Sequence, residues 1–189
     1  MPDKTRCGWV PLNKPTYVKY HDEEWGVPVR DDQKMFEFLI LESFQAGLSW
    51  EIVLNKRDNF RKAFAEFDFK KVALFGEDKV QELLQDKGIV RNQLKIRAAI
   101  NNAQRYLEVI EEFGSFCVYF WGFSNGKPLT NQFKILDDIP ASTDLSTTIA
   151  KDLKTRGFKF LGTTVVYAHM QAVGMVNDHL EECFRYSQV

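Results

Sequence analysis

The 189-residue chain holds only three cysteines, three histidines, six prolines and eleven glycines. So few thiols, and an odd number of them, exclude a disulfide framework and favour reduced cysteines in a reducing compartment. No apolar run approaches the roughly 18 residues that a membrane-spanning helix needs. Met1-Pro2-Asp3-Lys4 lacks the apolar segment of a signal peptide. Both absences point to a protein of the cytoplasm that does not engage a membrane. Pro and Gly cluster only around 122–128 and 140, which marks loops there and no linker between independent domains. Internal repeats and low-complexity stretches are also missing. There is no surplus of positive charge either: 25 Lys and Arg face 26 Asp and Glu, a net charge of −1. On its face that balance argues against a nucleic-acid binder.

Length and aromatic weight are present in its place. A 22 kDa chain is ample for a buried core in one domain, 1–189, of two packed helical lobes that are not independent. Sixteen Phe and four Trp bring the aromatic share to 14%, and most of the Phe are expected in the core. Charge is unevenly placed. Lys87, Arg91, Lys95, Arg97 and Arg105 lie between 87 and 107 with no acid among them, and Lys151, Lys154, Arg156 and Lys159 form a second cluster broken only by Asp152. Acids gather at 22–24 and 111–112. A mildly acidic protein can therefore still present one basic face, although most charge runs are simply solvated.

The hydrophobic spacing is helical almost throughout. Asp31-Asp32 offers an N-cap to a helix with Met35, Phe36, Leu39 and Ile40 inward. Glu51–Phe64 reads as one amphipathic stretch. Glu77-Asp78 opens a helix with Val80, Leu83 and Leu84 at helical spacing, and Gly88 suits its C′ position. Ile96, Ala99, Ile100, Ala103, Leu107 and Ile110 make a 3.6-residue stripe from about Leu94. Thr143 or Asp144 caps a helix that ends before Gly157. Val165-Val166-Tyr167 alone would suit a strand, but Met170, Ala172 and Gly174 favour a helix over 165–173. Asn177 then caps a last short helix.

That last helix is expected to carry His179 and Cys183, four residues apart and so on one face. With Cys7 and His21 near the other end, they make the Cys₂His₂ set that a structural Zn²⁺ takes in tetrahedral geometry. A metal there would tie the two ends of the chain together, a stronger restriction on the unfolded chain than a local clip. Spacing alone leaves coincidence open, because C-x₁₃-H is not a zinc-finger knuckle. Residues 77–107 read as helix, short G-I-V-R-N turn and basic helix. That fits either an ordinary helical hairpin or a DNA-binding one whose backbone N–H groups meet a phosphate, with Arg91 and Lys95 adding charge.

Longer words narrow the choice. They are R-C-G-W-V at 6–10, Y-V-K-Y-H-D-E-E-W-G-V-P at 17–28 and L-E-S-F-Q-A-G-L-S-W at 41–50, followed by G-I-V-R-N at 88–92, R-G-F-K-F-L-G-T-T at 156–164 and M-Q-A-V-G-M-V-N-D-H at 170–179. In this order, from Arg6 to about Cys183, the series strongly resembles the bacterial 3-methyladenine DNA glycosylase I family. One departure is Ser43-Phe44, where the family has Gly-Gln.

The resemblance implies an all-α, helix-hairpin-helix glycosylase fold, with one structural Zn²⁺ per chain on Cys7, His21, His179 and Cys183. It implies a monomer that hydrolyses the N-glycosidic bond of 3-methyladenine in double-stranded alkylated DNA and releases the free base. Glu42 and Tyr20 are then the catalytic pair. Glu42 reads the base edge, Tyr20 contacts the base, Trp50 stacks on it and Trp9 completes the aromatic pocket. Gln45, Ala46, Gly47 and Leu48 enter the DNA, while Gly88, Arg91 and Lys95 hold its backbone. A cationic base is already a good leaving group and needs little acid catalysis. No lysine offers a defensible Schiff-base nucleophile and the Asp137-Asp138 pair reads as a surface loop, so the enzyme is expected to be monofunctional, with water as nucleophile. Two rivals remain. One is a zinc-stabilised helical DNA-binding module without catalysis; the other, a zinc hydrolase, is disfavoured by four protein ligands that close the coordination sphere.

Overall fold

The structure, a computed structural model, describes residues 4–189; Met1, Pro2 and Asp3 of the N-terminal segment lie outside the described residues. In chain order the helices are α1 (Pro15–Glu23), α2 (Asp32–Gln45), α3 (Trp50–Asn55), α4 (Arg57–Ala63) and α5 (Phe69–Val72). They continue with α6 (Glu77–Gln85), α7 (Gln93–Phe113), α8 (Phe116–Gly122), α9 (Asp144–Thr155) and α10 (Thr163–Ala172). The expected helical class holds, apart from one two-residue parallel pair. There β1 (Leu129–Thr130) meets β2 (Val176–Asn177), with Leu129 opposite Val176.

Helix α2 is the axis of the molecule. Asp31 caps it, its carboxylate accepting from the Lys34 N–H at 2.8 Å. Every residue from Met35 to Phe44 is buried, so this helix is wrapped on all sides rather than laid on a surface. α10, α7, α8 and α3 pack around it. Ser43 and Phe44 belong to its last turn, where Phe44 packs edge-on against Phe60 at 4.8 Å and the Ser43 hydroxyl donates to Ile40 O at 2.7 Å. The other buried acid of this helix, Glu37, is matched by Arg57 and Arg61 at 2.8 Å, pairing that offsets the cost of taking its charge out of water.

Four expectations change. The 51–64 stretch breaks into α3 and α4 at Lys56, whose φ and ψ of −99° and 0° leave the helical region. α6 stops at Gln85 with Asp86 extended, so Gly88 is not its C′ residue. Glycine is needed there for close approach, since a Cβ would lie 2.9 Å from Asp86 Oδ1 and 3.0 Å from Asn59. On α7, Tyr106 and Val109 are buried in place of Leu107 and Ile110. The Tyr106 ring stacks on Phe116 at 4.0 Å and its hydroxyl donates to Asp32 O, which rotates the stripe. The helix expected to hold His179 and Cys183 does not form; the tail after β2 runs in turns. Buried Asn177 organises it, accepting from the His179 N–H at 3.2 Å and donating to Tyr186 O and Val189 O.

Candidate active site

The tail's turns bring four donors together. Cys7, His21, His179 and Cys183 are all buried, with their ligating atoms within 4.8 Å of one another. Cys183 Sγ lies 3.4 Å from His21 Nε2 and 3.5 Å from His179 Nδ1, and Cys7 Sγ lies 3.5 Å from the same Nδ1. These are close to the edges, about 3.5 Å long, of a tetrahedron with metal–sulfur and metal–nitrogen bonds near 2.3 and 2.1 Å. Each imidazole is also oriented from behind. His21 Nδ1 donates to Asp22 at 2.9 Å, and Asp22 is itself clamped by Arg6; His179 Nε2 donates to Trp25 O at 3.1 Å. With those nitrogens carrying the protons, the inward nitrogens present lone pairs, as metal ligation requires. The hydrogen bond from Cys7 holds the Cys183 thiol well below the ordinary thiol range. The group can hold a metal ion. Cys117 and His169 stand apart from it in the core.

Beside this cluster opens a cavity of about 310 Å³. Trp9, Tyr17, Tyr20, Trp25 and Trp50 line it, with Glu42 as its one acid among the described residues. Trp9 meets Trp25 edge to face at 4.9 Å and Tyr17 at 5.9 Å, and Tyr20 tilts against Trp50 at 5.3 Å. Helix α2 delivers Glu42 at 4% exposure with no ion-pair partner among the described residues. Its Oε2 is buried without a hydrogen-bond partner, and so is the Trp50 indole nitrogen. Burial alone pushes the Glu42 carboxyl up to about 8, and burial followed by the charge of Glu42 drives the Tyr20 hydroxyl well above its usual value. An electron-rich aromatic box with one uncompensated carboxyl suits a flat, cationic or amino-bearing guest.

Three wall residues escaped the sequence reading: Ile139, Ala168 and Gln171. Ile139 follows the exposed Asp137-Asp138 pair, and only the folded chain shows that the loop turns it inward. Gln171 lies in the quoted M-Q-A-V-G word; its amide nitrogen donates to Asp178 at 2.8 Å, beside Tyr167 and Asn131.

Gln45, the last residue of α2, forms a turn with Ala46, Gly47 and Leu48, half-buried at 45–46 and exposed at 47–48, which borders a second hollow shared with Glu42 and the start of α10. Gly47 has φ +78° and nothing within 4 Å of a Cβ position, so its backbone conformation alone calls for glycine. The hairpin between α6 and α7 also forms. Within it the Gly88, Ile89 and Asn92 N–H groups are already bonded internally. The amides of Val90 and Arg91, and of Gln93 and Leu94 on the first turn of α7, have no partner among the described residues.

The basic run is less bare than its sequence. Arg97 pairs with Glu77 and Arg105 with Glu108, both at 2.8 Å, and in the second cluster Arg156 pairs with Asp152 and Glu112. Arg91 stays exposed. Lys95 corrects the expectation of a phosphate contact: it is buried, and its ammonium donates to Phe44 O and Ala46 O at 2.8 and 2.5 Å.

The methyladenine glycosylase family model matches residues 9–186 of this chain. The DNA-3-methyladenine glycosylase 1 of Escherichia coli (strain K12) is 49% identical over 181 residues, 96% of either chain. A crystal structure of 3-methyladenine DNA glycosylase I superposes with a TM-score of 0.91 at 50% identity, covering 95% of this chain and 98% of that one. A tyrosine-to-phenylalanine variant of 3-methyladenine DNA glycosylase I in complex with 3-methyladenine superposes with a TM-score of 0.92 at 36% identity, covering 95% and 96%.

Proposed function

This chain belongs to the methyladenine glycosylase family, and on that premise we propose that it is a monofunctional DNA-3-methyladenine glycosylase acting on alkylated double-stranded DNA. The observation that carries the reading is Glu42, a buried carboxyl with an unbonded oxygen in an aromatic cavity. Such a group is costly to the fold unless a ligand answers it.

The damaged nucleotide leaves the duplex and its base enters the cavity. Trp50 stacks on the ring, with Trp9 and Tyr20 closing the box. Glu42 accepts from the exocyclic amine. A cationic base favours the ionised carboxyl, so Glu42 gives up its proton to solvent as the base settles. The C1′–N bond then breaks with its electron pair passing to the base, which leaves neutral as free 3-methyladenine. Water adds at C1′ and loses a proton. Glu42 and Tyr20 act on the base, and among the described residues no second carboxylate lines the cavity to serve the sugar. Outside the cavity, the Gln45–Leu48 turn fills the gap left by the nucleotide. The free amides after Gly88, with Arg91, meet the phosphates.

The Cys₂His₂ donors fit Zn²⁺ best among common metals, by ligand type and by tetrahedral spacing. Bound zinc supplies a rigid crosslink between the chain ends, and four protein donors leave no position for a reactive water. Cavity and cluster draw all their described residues from a single chain, which supports a monomer working in the cytoplasm.

The test is base release from duplexes carrying 3-methyladenine, with wild type, Glu42→Gln and Trp50→Ala side by side. Wild type should release the free base. Glu42→Gln should bind free 3-methyladenine more weakly by ~1.5–3 kcal/mol, and Trp50→Ala by ~1–3 kcal/mol. Damage-independent DNA binding with no base released would leave the non-catalytic DNA-binding module as the correct reading.

A further inference from the structure

The turn that follows α2 has a definite type. The Leu48 N–H donates to Gln45 O at 2.6 Å, Ala46 has φ −44° and ψ 114°, and Gly47 has φ +78°. Those dihedrals define a type II turn. A type I turn closes with the same hydrogen bond but has the central peptide, here Ala46–Gly47, rotated by about 180°. Glycine in the third position accepts either form. The turn's own bond therefore does not fix which way its central peptide faces.

Lys95 does. It stands on the first turn of α7, and its buried ammonium binds Ala46 O, the carbonyl of that central peptide, together with Phe44 O. No carboxylate pairs with it among the described residues, and burial lowers its pKa from the ordinary lysine value. A solvent-seeking charge is thus committed to two backbone oxygens. Because the peptide is planar and trans, an oxygen held inward turns the Gly47 N–H outward. That N–H has no partner among the described residues, and Gly47 is exposed. On its other side, α7 begins at the hairpin, whose Lys87 and Gly88 carbonyls are held by the Lys56 ammonium at 2.9 and 3.2 Å. Lys95 therefore spans from the hairpin's helix to the turn.

We propose that Lys95 is a positioning residue for base excision: it locks the central peptide of the 45–48 turn so that the Gly47 N–H faces the opened duplex, and it ties this turn to the phosphate-binding hairpin. The inference rests on the glycosylase reading above. It gives the buried charge a task that a surface phosphate contact cannot explain. Gripping the backbone and filling the gap then happen with one rigid unit, and the donor at its tip meets an acceptor in the gap without a reorganisation cost.

The experiment compares Lys95→Met, Lys95→Gln and Lys95→Arg with wild type in three measurements. Single-turnover release of 3-methyladenine from duplex DNA should fall at least ~10-fold in Lys95→Met and recover in part in Lys95→Arg, the size of loss that follows a misplaced element. Affinity for free 3-methyladenine should stay within about twofold, because that cavity does not include Lys95. The salt slope for undamaged duplex should be unchanged, whereas loss of a phosphate contact would lower it by about 0.9. Excision near the wild-type rate would overturn the proposal. So would a reduced salt slope, a parallel loss of free-base binding, or the failure of every variant but Lys95→Arg to fold, which would assign Lys95 to stability alone. Absence of base release by wild type itself would instead remove the glycosylase reading.

Discussion

Trp25 and His179 meet edge to face with their ring centroids 4.6 Å apart, and the Trp25 carbonyl oxygen accepts from Nε2 of that imidazole. Trp25 lines the cavity, so the metal-ligand cluster and the base pocket share a wall. Replacing Cys183 with Ser should therefore lower metal content, stability and free 3-methyladenine affinity together. Loss of a structural ligand should cost ~4 kcal/mol or more, roughly 10 °C in Tm for a chain of this size. Metal analysis, a melting curve and a base titration check it; intact base affinity in a metal-free protein would uncouple the two sites.

Arg91 is an exposed cation of the hairpin, with unbonded amides beside it among the described residues. Arg91→Ala should weaken binding equally for damaged and undamaged duplex, and reduce the salt slope by about one unit or less. Titrations at several salt concentrations measure both quantities. A preference for the damaged duplex that changes with the substitution would assign Arg91 to lesion recognition.

Glu42 should set a pH dependence of stability. In the folded protein its pKa is raised to about 8 by burial, from 4.5 in an exposed setting. Between those values the folded chain keeps a proton that the unfolded chain releases. The stability this brings is complete below pH 4.5 and is lost as pH rises through 8. Glu42→Gln cannot ionise, so it should be more stable than wild type at pH 9, on the order of a few kcal/mol, with the gap closing toward pH 5. Denaturant melts at the two pH values would refute this by showing a pH-independent difference.

His169 predicts the opposite limb. It is buried edge-on to Phe120 at 5.0 Å with neither ring nitrogen bonded among the described residues, and burial lowers its pKa to about 3. The unfolded chain gains a proton below about 6.5 that the folded chain refuses, so stability falls as pH drops from 6.5 toward 3. His169→Phe should lose that slope, gaining about 2 kcal/mol relative to wild type between pH 7 and pH 5. Equal acid sensitivity in the two proteins would show that the imidazole finds a partner.

The limits of sequence reading fall at identifiable residues. Cys7, His21, His179 and Cys183 were legible because so few residue types ligate metals and their flanking words are distinctive. The separation of four between His179 and Cys183 fits one helical face, yet a turn serves equally, and Asn177 with its three hydrogen bonds decided for the turn. Asp31 and Thr143 announced their helices through local capping chemistry, which needs no distant partner. Lys95 was visible as charge but not as direction; the carbonyls that claim it lie 49 and 51 residues away. Ile139 and Gln171 reach the cavity only through tertiary packing, where local patterns carry no signal. Glu42 could be set on an apolar helix, but its burial depends on neighbours wrapping α2 from every side.

The joining of the chain's ends also has a consequence in time. Cys183 follows its partner His21 by 162 residues, so at a synthesis rate of about 5–20 residues per second the ribosome needs roughly 8–30 s to reach it. The aromatic wall of Trp9, Tyr20 and Trp25 is made first and anchored last. A chain that stops before His179 already contains α1 to α10, yet lacks the imidazole that backs Trp25 in the cavity wall.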